Sequence, residues 1–171
     1  RAVSHQQSTN LSVSGTMDVS GIQDAGNALK IDHLEITNTG SLTMKTEDAT
    51  TQLMIAADFV SISGTLNVDG GLYAIQTSAS ANGGAIVDGG RVFIKNVTAG
   101  MVVAYSGDVE IKNNSTIEIE ASNSGILIHS GTNANGQIKL SDCDLKIMGD
   151  KHAFTGTVVA TLSASEVFAG E

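Results

Sequence analysis

Pairs of apolar residues separated by one polar residue recur along this chain, and the pairs come in twos across a short polar corner. The unit reads Leu11-x-Val13 then Met17-x-Val19; Leu34-x-Ile36 then Leu42-x-Met44; Val60-x-Ile62 then Leu66-x-Val68. It continues as Val92-x-Ile94 then Val97-x-Ala99; Val109-x-Ile111 then Ile117-x-Ile119; Ile138-x-Leu140 then Leu145-x-Ile147; and a frayed Val158-x-Ala160 with Leu162. Each pair has period two, the signature of a strand with one buried and one solvated face. No stretch sustains a 3.6-residue period long enough to predict a helix.

A third apolar stretch follows most units after a Gly- or Asn-rich turn, as in Tyr73-Ala74-Ile75, Met101-Val102-Val103, Gly125 to Ile128 and His152-Ala153-Phe154. Three short strands per unit predict one triangular coil. The whole chain, 1–171, is therefore expected to be a single all-β domain, a single-stranded right-handed parallel β-helix of about six to seven irregular coils. The handedness follows the usual crossover rule. The unit starts at 11, 34, 60, 92, 109, 138 and 158 lie 17 to 32 residues apart, so insertions at the corners absorb the difference. Stacked at about 4.8 Å, such coils make a rod on the order of 30 Å long.

Composition fits columns of small apolar side chains. There are 19 Gly, no Pro and no Trp, with only 4 Phe and 2 Tyr, yet 41% of residues are hydrophobic. Gly64, in Ser61-Ile-Ser-Gly-Thr-Leu-Asn-Val-Asp-Gly-Gly71, is expected to supply a backbone conformation closed to other residues at the corner. Stacking also predicts a register: Ile117 over Leu145 and Ile119 over Ile147 place Glu118 beside Lys146, and Val109 over Ile138 places Glu110 beside Lys139. The same scheme sets Lys95 beside Lys112, an unfavourable pair.

At these residues the chain resembles the right-handed parallel β-helix class that includes pectin-lyase-like proteins. The stretch from Gly107 to Ser130, GDVEIKNNSTIEIEASNSGILIHS, is similar to repeats of bacterial cell-surface β-helix modules often labelled carbohydrate-binding. Gln137 to Phe154 follows the same rhythm, with Asn113-Asn114 and Asp142-Cys143 where those modules commonly carry Gly-Gly. The resemblance implies a module of a longer, extracellular bacterial surface protein. The start at Arg1 rather than Met is also what a processed or excised segment would show.

A net charge of −9, from 18 acids against 9 bases, argues against nucleic acid, which requires clustered cations. A lone Cys143 allows neither a disulfide framework nor a thiolate metal site. No apolar run approaches a membrane span, so membrane insertion is not expected.

Candidate chemistry is sparse. Asp142, Asp144 and Asp150, with Lys151 and His152, form the nearest approach to a carboxylate cluster. A glycosidase needs two carboxyls across the scissile bond, but Asp at a corner is also ordinary turn chemistry. Pectin-cleaving signatures are not found. His33, His129 and His152 are isolated in sequence, so a metal centre would need ligands from different coils. Tyr73 and Tyr105 are the ligand-binding candidates, as stacking platforms for sugar rings; packing at the edge of the core is the competing account. Asn residues near the corners suit ladders between coils. The Gly-rich stretch from Ala79 to Gly90 lacks the ending of a phosphate loop and is expected to be a long solvent loop.

The expected function is that of a structural, adhesive or carbohydrate-binding module at a cell surface, without catalysis, cofactor or metal. Its partners would be a glycan or another surface protein. Two alternatives stand beside it: a polysaccharide-active lyase or glycosidase, and a stalk or filament segment whose end coils self-associate.

Overall fold

The computed structural model describes residues 9–22, 26–47, 51–77, 83–104, 107–129, 136–161 and 167–169. The chain winds as a parallel β-solenoid with three faces. The first face stacks β1 (Asn10–Val13), β4 (His33–Ile36), β7 (Phe59–Ile62), β10 (Gly84–Asp88), β12 (Asp108–Lys112), β14 (Gln137–Ser141) and β17 (Thr157–Thr161) in that order. The second stacks β2 (Thr16–Val19), β5 (Ser41–Lys45), β8 (Thr65–Asp69), β11 (Arg91–Ala104), β13 (Ser115–His129), β15 (Cys143–Gly149) and β18 (Val167–Ala169). β3 (Asn27–Lys30), β6 (Leu53–Ala57) and β9 (Tyr73–Thr77) begin the third face. The long strands β11 and β13 turn the corner into it through a register shift between Ile94 and Ala99, and β16 (His152–Thr155) follows.

The stack makes about five turns. The six to seven coils read from the sequence are an approximate count of this stack, whose last coil, β17 and β18, has no third strand among the described residues.

Alternation explains why these strands form a core. Leu34, Val60, Ala85, Val109 and Ile138 lie in register on the first face, all buried. Leu42, Leu66, Val92, Ile117 and Leu145 do the same on the second, and Leu29, Ile55, Ile75, Met101 and Ile126 on the third. Each large side chain removed from water contributes about 1.5–3 kcal/mol, so columns of aliphatics replace the aromatics the chain lacks.

The predicted register holds. Ile117 pairs with Leu145, Glu118 with Lys146, Ile119 with Ile147, and Glu110 with Lys139. One coil is corrected. Val92-x-Ile94 lies on the second face, and the first-face strand of that coil is β10, inside the stretch expected to be a solvent loop. There Ile86 points outward between inward Ala85 and Val87, so both faces are apolar and the alternation loses its contrast. With β10 in place, the expected Lys95–Lys112 contact disappears. Lys95 lies beside Asp69 with an ion pair of 3.5 Å, and Lys112 beside Asp88 at 3.8 Å.

The corner glycine is also explained differently. Gly64 does not adopt a left-handed conformation. It stands where a Cβ would come within 2.2 Å of the Thr37 carbonyl oxygen and 2.3 Å of the Gly40 carbonyl oxygen. Gly15, Gly40, Gly64 and Gly90 share this corner, their carbonyls accepting the amides of Ser41, Thr65, Arg91 and Thr116 at the start of the second-face strand of the next coil. In later coils the corner passes to Asn113, Asn114 and Asp142, whose φ values of 57°, 58° and 46° are ones Asn and Asp tolerate.

Candidate functional site

Outward positions of the second face are free of packing duty, and stacking assembles them into columns. One column runs Thr43, Asn67, Phe93, Glu118 and Lys146 across β5, β8, β11, β13 and β15. Beside it run Lys45, Asp69 and Lys95, and then Glu120 next to Met148. A shallow groove of about 470 Å³ follows these columns. It meets a second, of about 690 Å³, at the corner towards the third face; Lys45, Asp69 and Glu120 line both.

Two glycines form the backbone of this corner: Gly70 and Gly71 take φ values of +96° and +95°, where side chains are strained, and a Cβ would meet the Thr46 carbonyl oxygen at 2.3 Å from Gly70 and the buried Met54 side chain at 2.9 Å from Gly71. Asn96, itself left-handed at φ 56°, donates its Nδ2 to Asp69 Oδ1 at 2.6 Å. That hydrogen bond, with the neighbouring Lys95 ammonium, holds the Asp69 carboxyl below its usual range despite partial burial. Asn113 repeats the arrangement one coil on, donating to Asp88 at 2.7 Å. The expected Asn ladders are thus Asn–Asp rungs at these positions.

Phe93 is the notable member. It is half-buried yet points outward, flanked in register by Asn67 and Glu118. An aromatic ring with hydroxyl-binding amides and carboxylates around it can stack on the C–H face of a sugar while its polar neighbours take the hydroxyls. Sequence reasoning missed it, although a signal existed: with Val92 and Ile94 inward, alternation places Phe93 outside.

Tyr73 lies half-buried on the third face, its strand neighbours in register being Leu53 and Ala99. Leu72, preceding it, is 37% exposed and lines the corner groove. Tyr105 lies outside the described residues. The three aspartates do not come together: Asp142 sits at the corner between first and second faces, Asp144 points out of the second beside Thr116, and Asp150 lies at the corner before the third. Among the described residues no three His, Cys, Asp or Glu side chains could hold a metal ion. His33 packs edge-on against Phe59, ring centroids 5.2 Å apart. Cys143 faces the core, where burial, reinforced by the negative charge of Asp144, pushes its thiol up.

The fold thus defines a parallel β-solenoid with a polar, aromatic-bearing outer groove. Comparison with family models, with curated proteins and with solved structures finds no match.

Proposed function

We propose that this chain is a non-catalytic adhesive module of an extracellular surface protein, of the pectin-lyase-like architectural type, that binds carbohydrate along its second face. The observation that carries this reading is the outward Phe93 set among Asn67, Glu118 and Lys146 on a groove crossing five strands. A flat, repetitive surface of this kind suits a ligand that is itself repetitive and extended. The test is a glycan array with the purified module, followed by titration of the best binder against Phe93→Ala and Tyr73→Ala. Loss of the Phe93 ring is expected to weaken binding about tenfold, equivalent to about 1.4 kcal/mol. An array without binders, or a Phe93→Ala protein that binds unchanged, rejects the reading.

A stalk segment is the second reading, favoured by Val158 and Val159 of β17, which are 42% and 46% exposed on the last described strand of the first face. Concentration-dependent association in sedimentation, abolished by Val159→Lys, would support it. A monomer at all concentrations would reject it.

A further inference from the structure

Ser14-Gly15-Thr16 and Ser63-Gly64-Thr65 are the same corner in different coils, and Gly40 and Gly90 hold the same place in theirs. A Cβ at Gly40 would lie 2.0 Å from the Val13 carbonyl oxygen, at Gly64 2.2 Å from that of Thr37, and at Gly90 2.6 Å from that of Ile62. In each case the obstacle is backbone of the coil beneath, so the stacked neighbour is what demands glycine. At Gly15 that reason is missing: its φ is not left-handed, and nothing lies within 4 Å of the would-be Cβ. A glycine that no contact requires costs chain entropy on folding. Gly15 is thus built as a corner with a coil beneath it.

The apolar columns are cut open at both ends as well. Leu11, Met17 and Val19 are only half-buried, whereas their register partners in the next coil, Leu34, Leu42 and Met44, are fully buried. At the far end Val158 stands in the inward register beside Ile138 and Ala160 beside Leu140, yet both are exposed. Among the described residues no strand pairs the outer edges of β1, β2 or β17. Leu11 and Val158 are the first and last members of one inward column, Val13 and Ala160 of another. One coil here takes 23 residues, more than the ten that precede Leu11, so a coil beneath β1 is supplied by chain other than residues 1–10.

We infer that the occupant is a second copy of this chain, stacked head to tail. Its β17 lies parallel beneath β1, with Val158 against Leu11 and Ala160 against Val13, and its β18 falls beneath β2. The Ala160 carbonyl then stands under Gly15 as the Val13 carbonyl stands under Gly40. This deepens the stalk reading of the ends, on which it rests, and is independent of the carbohydrate reading of the groove. The contact is heterologous, one end of a copy against the opposite end of the next, so it extends without closing. It also pairs two open edges at once. A contact between two N-terminal ends would leave Val158 and Ala160 open.

The experiment is sedimentation over a concentration series, in enough salt to screen the −9 that each copy carries. The parent is expected to form dimers, trimers and longer species. Gly15→Ala sets a methyl against the docking backbone and is expected to weaken association about tenfold or more, while its urea midpoint in dilute solution is no lower than the parent's. Val158→Lys blocks the opposite end by placing an ammonium in the joint; if it lowers the urea midpoint, Val159→Lys on the same strand takes its place. Neither variant should assemble alone where the parent does. Their mixture should form one-to-one dimers and nothing longer, each variant lending its intact end. Association of Gly15→Ala as tight as the parent's, or a mixture that stays monomeric, overturns the head-to-tail inference and leaves the stalk reading standing. A parent that is monomeric at all concentrations rejects both.

Discussion

Adding one methyl group at Gly64 tests the account of the corner. The Cβ of Gly64→Ala would lie 2.2 Å from the Thr37 carbonyl oxygen and 2.3 Å from that of Gly40, with Ile36 Cγ2 at 3.0 Å. The two oxygens belong to backbone, so they cannot rotate away. The coil has to separate from the one beneath, and the bonds at risk are those across the corner: Thr65 N to Gly40 O at 2.9 Å, Ser63 N to Ile36 O at 2.8 Å and Gly64 N to Ile36 O at 3.2 Å. Overpacking costs about 1–3 kcal/mol, and each weakened bond about 0.5–1.5 kcal/mol. With two bonds affected the loss is about 2–6 kcal/mol, which for a chain of this size lowers the melting temperature by about 4–24 °C.

Gly15 is the internal control. It occupies the same corner two coils earlier, with nothing within 4 Å of its would-be Cβ and no left-handed φ. Gly15→Ala should therefore be neutral or stabilising by up to about 1 kcal/mol, through the unfolded chain. Urea unfolding of both variants decides the matter. A Gly64→Ala protein within about 1 kcal/mol of the parent, or one indistinguishable from Gly15→Ala, refutes the steric account.

Three further outcomes are expected. Lys146→Glu sets two carboxylates side by side with Glu118 and should cost only about 0.2–1 kcal/mol by urea unfolding, whereas a large loss would mean the register is wrong. The Asp69 carboxyl is lowered by its bond from Asn96 and by Lys95, so its stabilisation is complete above the unfolded value near 3.8 and disappears as the pH falls through the lower folded value. Urea midpoints in acid should then fall less steeply for Asp69→Asn than for the parent, and parallel decline would contradict this. Cys143 is 1% exposed with its thiol pushed up by burial, so alkylation of the native protein should proceed only as the coil opens; labelling as fast as in urea would place the thiol elsewhere.

Most of the scaffold was legible because a solenoid writes its core as alternation, and alternation survives in a single sequence. Leu34-x-Ile36, Val60-x-Ile62 and Val109-x-Ile111 each bury both apolar positions, and their third strands fall where short apolar runs follow the turns. β10 was illegible for a physical reason. Its inward Ala85 is small, its outward Ile86 is large, and glycines flank it, so the pattern that marks a strand is inverted in size. Gly64 was legible as a corner but not in its cause, since steric crowding from a neighbouring coil has no local signature.

The candidate surface was hidden by that one misread strand. Asn67, Phe93, Glu118 and Lys146 are neighbours only through register, each roughly one coil apart in sequence. Treating Val92-x-Ile94 as a first-face pair puts Phe93 on the face of Glu110 and Lys139, and brings Lys95 against Lys112. Restoring β10 moves Phe93 onto the second face and replaces that repulsion with Lys95–Asp69 and Lys112–Asp88 contacts. The like-charge clash in the sequence-derived register was therefore the readable symptom of the error. In a solenoid the inward columns determine the coil, but only a correct coil assignment shows which outward residues share a face. A charge conflict between stacked positions is reason to look for an overlooked strand before looking for a site.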